Sequence, residues 1–157
     1  MRSWYQRVTR DPDDLRPVLD AIDYFAEQYE EALGEVDCLP GRRLIEVAVQ
    51  LPGIVQHRYD QMMELNAIID YLEIREEAAV GIQRRYYVEH YNRKLTDRMV
   101  EKFAESHADV VALRELRNHV AAVRNKFCGL SKRHEYLHYQ LSNVTKLRVA
   151  GIEDAIL

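Results

Sequence analysis

The chain has 157 residues, 47% of them apolar and 31% charged, with only six glycines and four prolines. That length suits one domain or two small ones, and the composition excludes wholesale disorder and a strand-rich, turn-rich fold. The net charge of −4 hides an asymmetry: residues 1–40 carry four Arg against ten Asp/Glu, while residues 110–152 carry eight basic residues against two acids. No apolar run approaches the ~20 residues of a membrane span, and the N-terminus lacks the pattern of a signal peptide. Cys38 and Cys128 form neither a disulfide framework nor a metal spacing, as expected of reduced thiols in a cytosolic protein.

The first dozen residues, with Trp4 and Tyr5 among arginines, show no period and read as a tail or docking arm. Asp11-Pro12-Asp13-Asp14 is a helix-start signal, because acids favour the positive end of the macrodipole. Leu15, Val18, Leu19, Ile22, Phe25, Ala26, Tyr29 and Leu33 then trace one helical face, ending near Gly34. A loop over 34–41 should lead to a short helix from Arg42 to Gln50 that stops before Pro52. A long helix from about Ile54 to His90 follows, with the stripe Met62, Leu65, Ile69, Leu72, Ala79, Ile82 and Tyr86 and a polar interruption near Glu76.

Tyr91 to Asp97 should connect into a last rod that frays at Gly151. Its seam alternates spacings of three and four without a miss: Leu113, Leu116, Val120, Val123, Phe127, Leu130, His134, Leu137, Leu141, Val144. Such a rhythm marks a helix packed along its whole length against others, a rod of about 50 Å. Gly129 interrupts this rod and implies a local bend or a close helix contact. The expected fold is all-α: a long antiparallel helical hairpin with shorter N-terminal helices, assembling into a homo-oligomer, since two rods bury their seams poorly alone. The expected division is an acidic N-terminal arm and helix over 1–40 and a helical core over 41–157.

Two clusters carry possible chemistry. His134-Glu135-Tyr136-Leu137-His138 reads H-E-x-x-H, which on a helix places two imidazoles for Zn²⁺ and a glutamate as general base. Glu153 or Asp154 would supply a third ligand, yet His134 also occupies the seam, where it would face a neighbouring helix. Arg84-Arg85-Tyr86-Tyr87, followed by Arg93-Lys94 and Arg98, suits single-stranded nucleic acid: guanidinium groups neutralise phosphates while bases stack on tyrosine. The bland alternative is a solvated helix end whose cations complement the macrodipole. Lys126, Lys132 and Arg133, with Arg124 nearby, flank the seam and are expected to pair across helices.

The order of features resembles the UvsY recombination mediator family of T-even-type phages. The resemblance runs from about Leu44 to Asp154. It rests on Leu51-Pro52-Gly53-Ile54-Val55-Gln56-His57-Arg58-Tyr59, Leu72-Glu73, Tyr86-Tyr87, Asp109-Val110-Val111, Phe127-Cys128, and the basic close at Lys146-Leu147-Arg148 with Gly151. The family's basic pair before the double tyrosine would fall on Gly81 and Gln83, where this chain offers Arg84 and Arg85 instead. The resemblance implies a ring-forming, non-enzymatic protein of the host cytoplasm, without cofactor or metal. It implies binding of single-stranded DNA and loading of a phage recombinase onto strands covered by single-strand-binding protein, in recombination, repair and replication. Arg84, Arg85, Arg93 and Lys94 are then the expected phosphate contacts, with Tyr86 and Tyr87 as stacking groups. A helical virion or scaffold protein without DNA affinity is the first rival, and a zinc hydrolase the second.

Overall fold

The computed structural model describes residues 3–37, 43–91 and 95–151, and among them every regular element is an α-helix. The helices are α1 (Trp4–Val8), α2 (Arg16–Asp37), α3 (Leu44–His90), α4 (Asp97–Glu105) and α5 (Ala108–Val149). No helix among the described residues is long and apolar enough to cross a membrane.

The N-terminal segment is not a tail. The Ser3 hydroxyl accepts the Gln6 N–H at 3.2 Å and caps α1, and Val8 is fully buried. The Tyr5 N–H donates to Glu64 Oε1 at 3.0 Å, which ties α1 to α3. Five residues are too few to show a period, so this helix was not legible as one.

The acids of the start signal lie just ahead of α2 and not in its first turn: Asp14 Oδ1 accepts the Arg16 N–H at 3.0 Å and its carboxylate also holds the Arg16 guanidinium. The buried line is Val18, Ala21, Phe25 and Ala32, while Leu19 is 50% exposed. Leu19 sits ~100° around the helix from Val18, so the face is narrower than the apolar residues suggest. The helix also passes Gly34 to Asp37. Among the described residues only Gly151 adopts a positive φ, +82°, and there α5 does end.

Pro52 does not divide α3, which runs unbroken for 47 residues. Proline removes one backbone donor but leaves the flanking turns intact, and both are packed. Val47 and Leu51 are buried in a cluster with Leu141, with Val55 and Leu137 against it. The buried line of α3 is Val47, Leu51, Arg58, Gln61, Leu65, Ile68, Leu72 and Glu76. The expected stripe drifts off it, leaving Ile82 and Tyr86 exposed. Three polar residues hold core positions instead.

The last rod begins at Ala108, later than expected, because α4 is separate. Ser106 closes α4, its N–H bonded to Lys102 O and its hydroxyl donating to Phe103 O. His107 starts α5, its Nδ1 accepting the Asp109 N–H at 3.4 Å. Neither residue is a strong stop signal. Beyond this break the seam holds: all ten of its residues from Leu113 to Val144 are buried or half-buried.

The close contact expected at Gly129 is absent, since a Cβ there would meet nothing within 4 Å. Gly129→Ala should therefore stabilise the protein by about 1 kcal/mol, read as a higher denaturant midpoint, through helix propensity alone. A lower midpoint would mean that the glycine is needed for its backbone.

The chain divides into two compact units: Met1–Ile22 with Glu64–Ala122, and Asp23–Met63 with Val123–Leu157. Each draws on both sides of residue 40, because α2, α3 and α5 all pass from one unit to the other. The first buries Val8, Val18, Leu65, Ile68, Leu72, Val100, Ala104 and Val120. The second buries Phe25, Ala32, Phe127, Leu130 and Leu141, with Arg58, Gln61 and His134 among them.

Candidate nucleic-acid interface

The last turns of α3 and the helix α4 place the basic-aromatic cluster in the first unit. Tyr86 is 54% exposed and its ring stacks on His90, centroids 4.8 Å apart and 17° between planes. Tyr87, one position on, turns to the other side and is half-buried. It lies 6.2 Å from Tyr91 and 5.7 Å from Phe103, and Tyr91 stacks on Phe103 at 27°. The two groups touch through an edge-to-face contact of Tyr86 and Tyr87 at 5.7 Å. Tyr91 and Phe103 keep 49% and 36% of their surface in solvent, so part of the aromatic surface of the array meets water.

The arginines diverge. Arg84 pairs with Glu101 of α4 and lines a cavity of about 360 Å³ with Glu73, Glu76, Arg114 and Arg117. Arg85 is exposed and, among the described residues, meets no carboxylate. Arg93 and Lys94 lie outside the described residues. Gly81 and Gln83, where the family's basic pair would fall, are exposed and half-buried on α3.

Tyr91 and Phe103 are absent from the sequence-derived site. Tyr91 follows Tyr87 by four residues, so the helical period alone finds it. Phe103 is on another helix, and no local pattern announces its contact.

The floor beneath Arg84 explains the polar interruption. Glu76 is buried; its Oε1 accepts a hydrogen bond from Arg114 Nε at 2.7 Å, and its Oε2 forms an ion pair with Arg117 Nε at 3.2 Å without hydrogen-bond geometry. Arg117 also reaches Glu73 at 3.3 Å. Two guanidinium groups around one buried carboxylate supply the partners that a charge needs inside a protein.

The H-E-x-x-H residues sit in the second unit and differ in exposure. His134 is 3% exposed and its Nε2 has no hydrogen-bond partner; Glu135 and His138 are exposed. Burial and the nearby Arg58 hold the His134 imidazole below its ordinary pKa, Glu35 opposing and Arg133 adding slightly. Among the described residues no group of three or more His, Cys, Asp or Glu gathers as metal ligands, and Glu153 and Asp154 lie outside those residues. The half-buried Cys128 donates its thiol to Met62 Sδ at 3.5 Å; Cys38 is outside the described residues. Of the basic residues flanking the α5 seam, Lys126 reaches across to α2, lying 5.3 Å over the Tyr29 ring, while among the described residues Lys132 meets no carboxylate.

Comparison with protein-family models, with curated proteins and with solved structures finds no match for this chain.

Proposed function

We propose that this protein is a homo-oligomeric recombination mediator that binds single-stranded DNA and helps load a recombinase onto strands covered by single-strand-binding protein in the host cytoplasm. The observation that carries this reading is the exposed array of Tyr86, His90, Tyr91 and Phe103, with Arg85 exposed on the same end of α3. Unpaired bases stack on ring faces, and arginine neutralises the phosphates between them. The protein acts on DNA organisation and not as an enzyme. Many weak contacts, multiplied over the subunits of a ring, hold a strand in a form the recombinase prefers. Self-association is supported by exposed apolar side chains on α3, where Ile74, Ile82 and Val88 are 65%, 66% and 70% accessible.

A fluorescein-labelled oligothymidylate tests this. Binding should be tight at low salt and fall steeply with salt, with a logarithmic slope near −0.7 per phosphate contacted. Replacing Tyr86 or Tyr91 by alanine should weaken it roughly five-fold or more, and Arg85→Ala should flatten the slope. Absence of binding at low salt, or unchanged binding by Arg85→Ala, would leave the second reading. That reading is a helical assembly protein, favoured by the same exposed apolar side chains of α3, which gives a defined oligomer without DNA affinity.

A further inference from the structure

The second unit holds a groove of about 580 Å³ between α3 and α5, within the roughly 300–1,000 Å³ range of small-ligand sites. Its floor is apolar, made by Val55, Met62 and Cys128. Tyr59 and Tyr139 line it with exposed rings, and Lys132 and His138 bring cationic or ionisable nitrogens. Glu135 is the one carboxylate of the lining. The buried His134, whose Nε2 makes no hydrogen bond, also lines it.

An apolar floor alone accepts any greasy group, but the surroundings narrow the choice. From residue 124 to 149 α5 carries Arg124, Lys126, Lys132, Arg133, Lys146 and Arg148 against the single acid Glu135. Among the described residues neither Lys132 nor Lys146 pairs with a carboxylate. Cations select an anion, tyrosine rings select a flat partner, and an unsatisfied imidazole nitrogen selects a group with a polar edge. An unpaired nucleotide meets all three demands.

We propose that this groove seats an unpaired base of a single-stranded polynucleotide, with Lys132 on the adjoining phosphate and the Tyr59 and Tyr139 rings against the base. The proposal rests on the single-strand-binding reading above and adds a second contact surface to it.

The test compares a labelled oligothymidylate with an abasic strand of equal length, using the full chain. Lys132→Gln should reduce the salt slope by roughly 0.7 on both strands. Tyr139→Leu should weaken the thymidylate strand about five-fold or more and leave the abasic strand unchanged. Both side chains are exposed, and a matched circular dichroism spectrum verifies that the variants fold. If both variants bind like wild type while Arg85→Ala weakens binding, the groove proposal is overturned and the single-strand reading stands. Equal weakening of both strands by Tyr139→Leu overturns the seating of a base. A wild-type protein that binds neither strand removes the single-strand reading, and the groove with it.

Discussion

Phe127→Ala should destabilise the protein by about 3–5 kcal/mol, among the largest losses available to a single substitution in this chain. Phe127 is 1% exposed. Its ring meets Phe25 edge-on at 6.3 Å and Tyr29 at 6.0 Å, so truncation removes two aromatic contacts as well as the buried area. The cavity left behind has little chance to collapse, because Phe25 is itself fully buried in α2 and held by Tyr24 at 5.2 Å. Phe127→Leu retains most of the volume and should cost markedly less. Ile82→Ala is the matched control: it also deletes apolar atoms, but from an exposed site, and should stay within about 0.5 kcal/mol. Denaturant titration of the three variants gives the ranking. A Phe127→Ala loss below about 1 kcal/mol would mean that the α2–α5 contact is not the core of its unit.

The α5 seam was legible because burial there follows one rule, apolar residues at helical spacing, and His134 alone departs from it. The α3 seam was not, because Arg58, Gln61 and Glu76 occupy core positions. A period count cannot assign them to the interior. Each has partners that arrive from distant positions: Glu35 and Gln28 for Arg58, Gln28 for Gln61, and Arg114 and Arg117 for Glu76. Pro52 shows the same limit from the other side. A local rule ends a helix there, but Val47 and Leu51 before it and Val55 after it, packed with Leu137 and Leu141, hold both flanks in place. At the candidate site the tyrosine pair was visible in the sequence. The pairing of Arg84 with Glu101 and the arrival of Phe103 depend on how α4 folds back, and nothing local encodes that.

Arg58→Ala should cost about 3 kcal/mol and change how the protein responds to acid. The guanidinium is 3% exposed, bonded to Glu35 Oε2 at 2.8 Å and donating to Gln28 and Gln61 at 3.1 and 2.9 Å. Its removal leaves a cavity and strips a donor from the buried Gln61 amide and the half-buried Gln28 amide. Loss of one partner of a buried ion pair typically costs 3–5 kcal/mol, and the lower end applies because Glu35 keeps 35% of its side chain in water. Arg58→Met fills the space and should recover a large part of the loss.

The acid response follows from His134, whose imidazole is kept neutral by burial and by repulsion from Arg58. The unfolded chain takes up that proton near pH 6.5, before the folded one does. The contribution of His134 to stability is therefore complete above about pH 6.5 and is lost as pH falls below it, at no more than about 1.4 kcal/mol per pH unit. Denaturation midpoints measured from about pH 7 to pH 5 should fall more steeply for wild type than for His134→Leu, which has no proton to take up. Arg58→Met should lie between them, since burial still disfavours the imidazolium but the neighbouring cation is gone. Parallel lines for wild type and His134→Leu would show that the imidazole titrates alike in both states, and that the Arg58 network does not govern it.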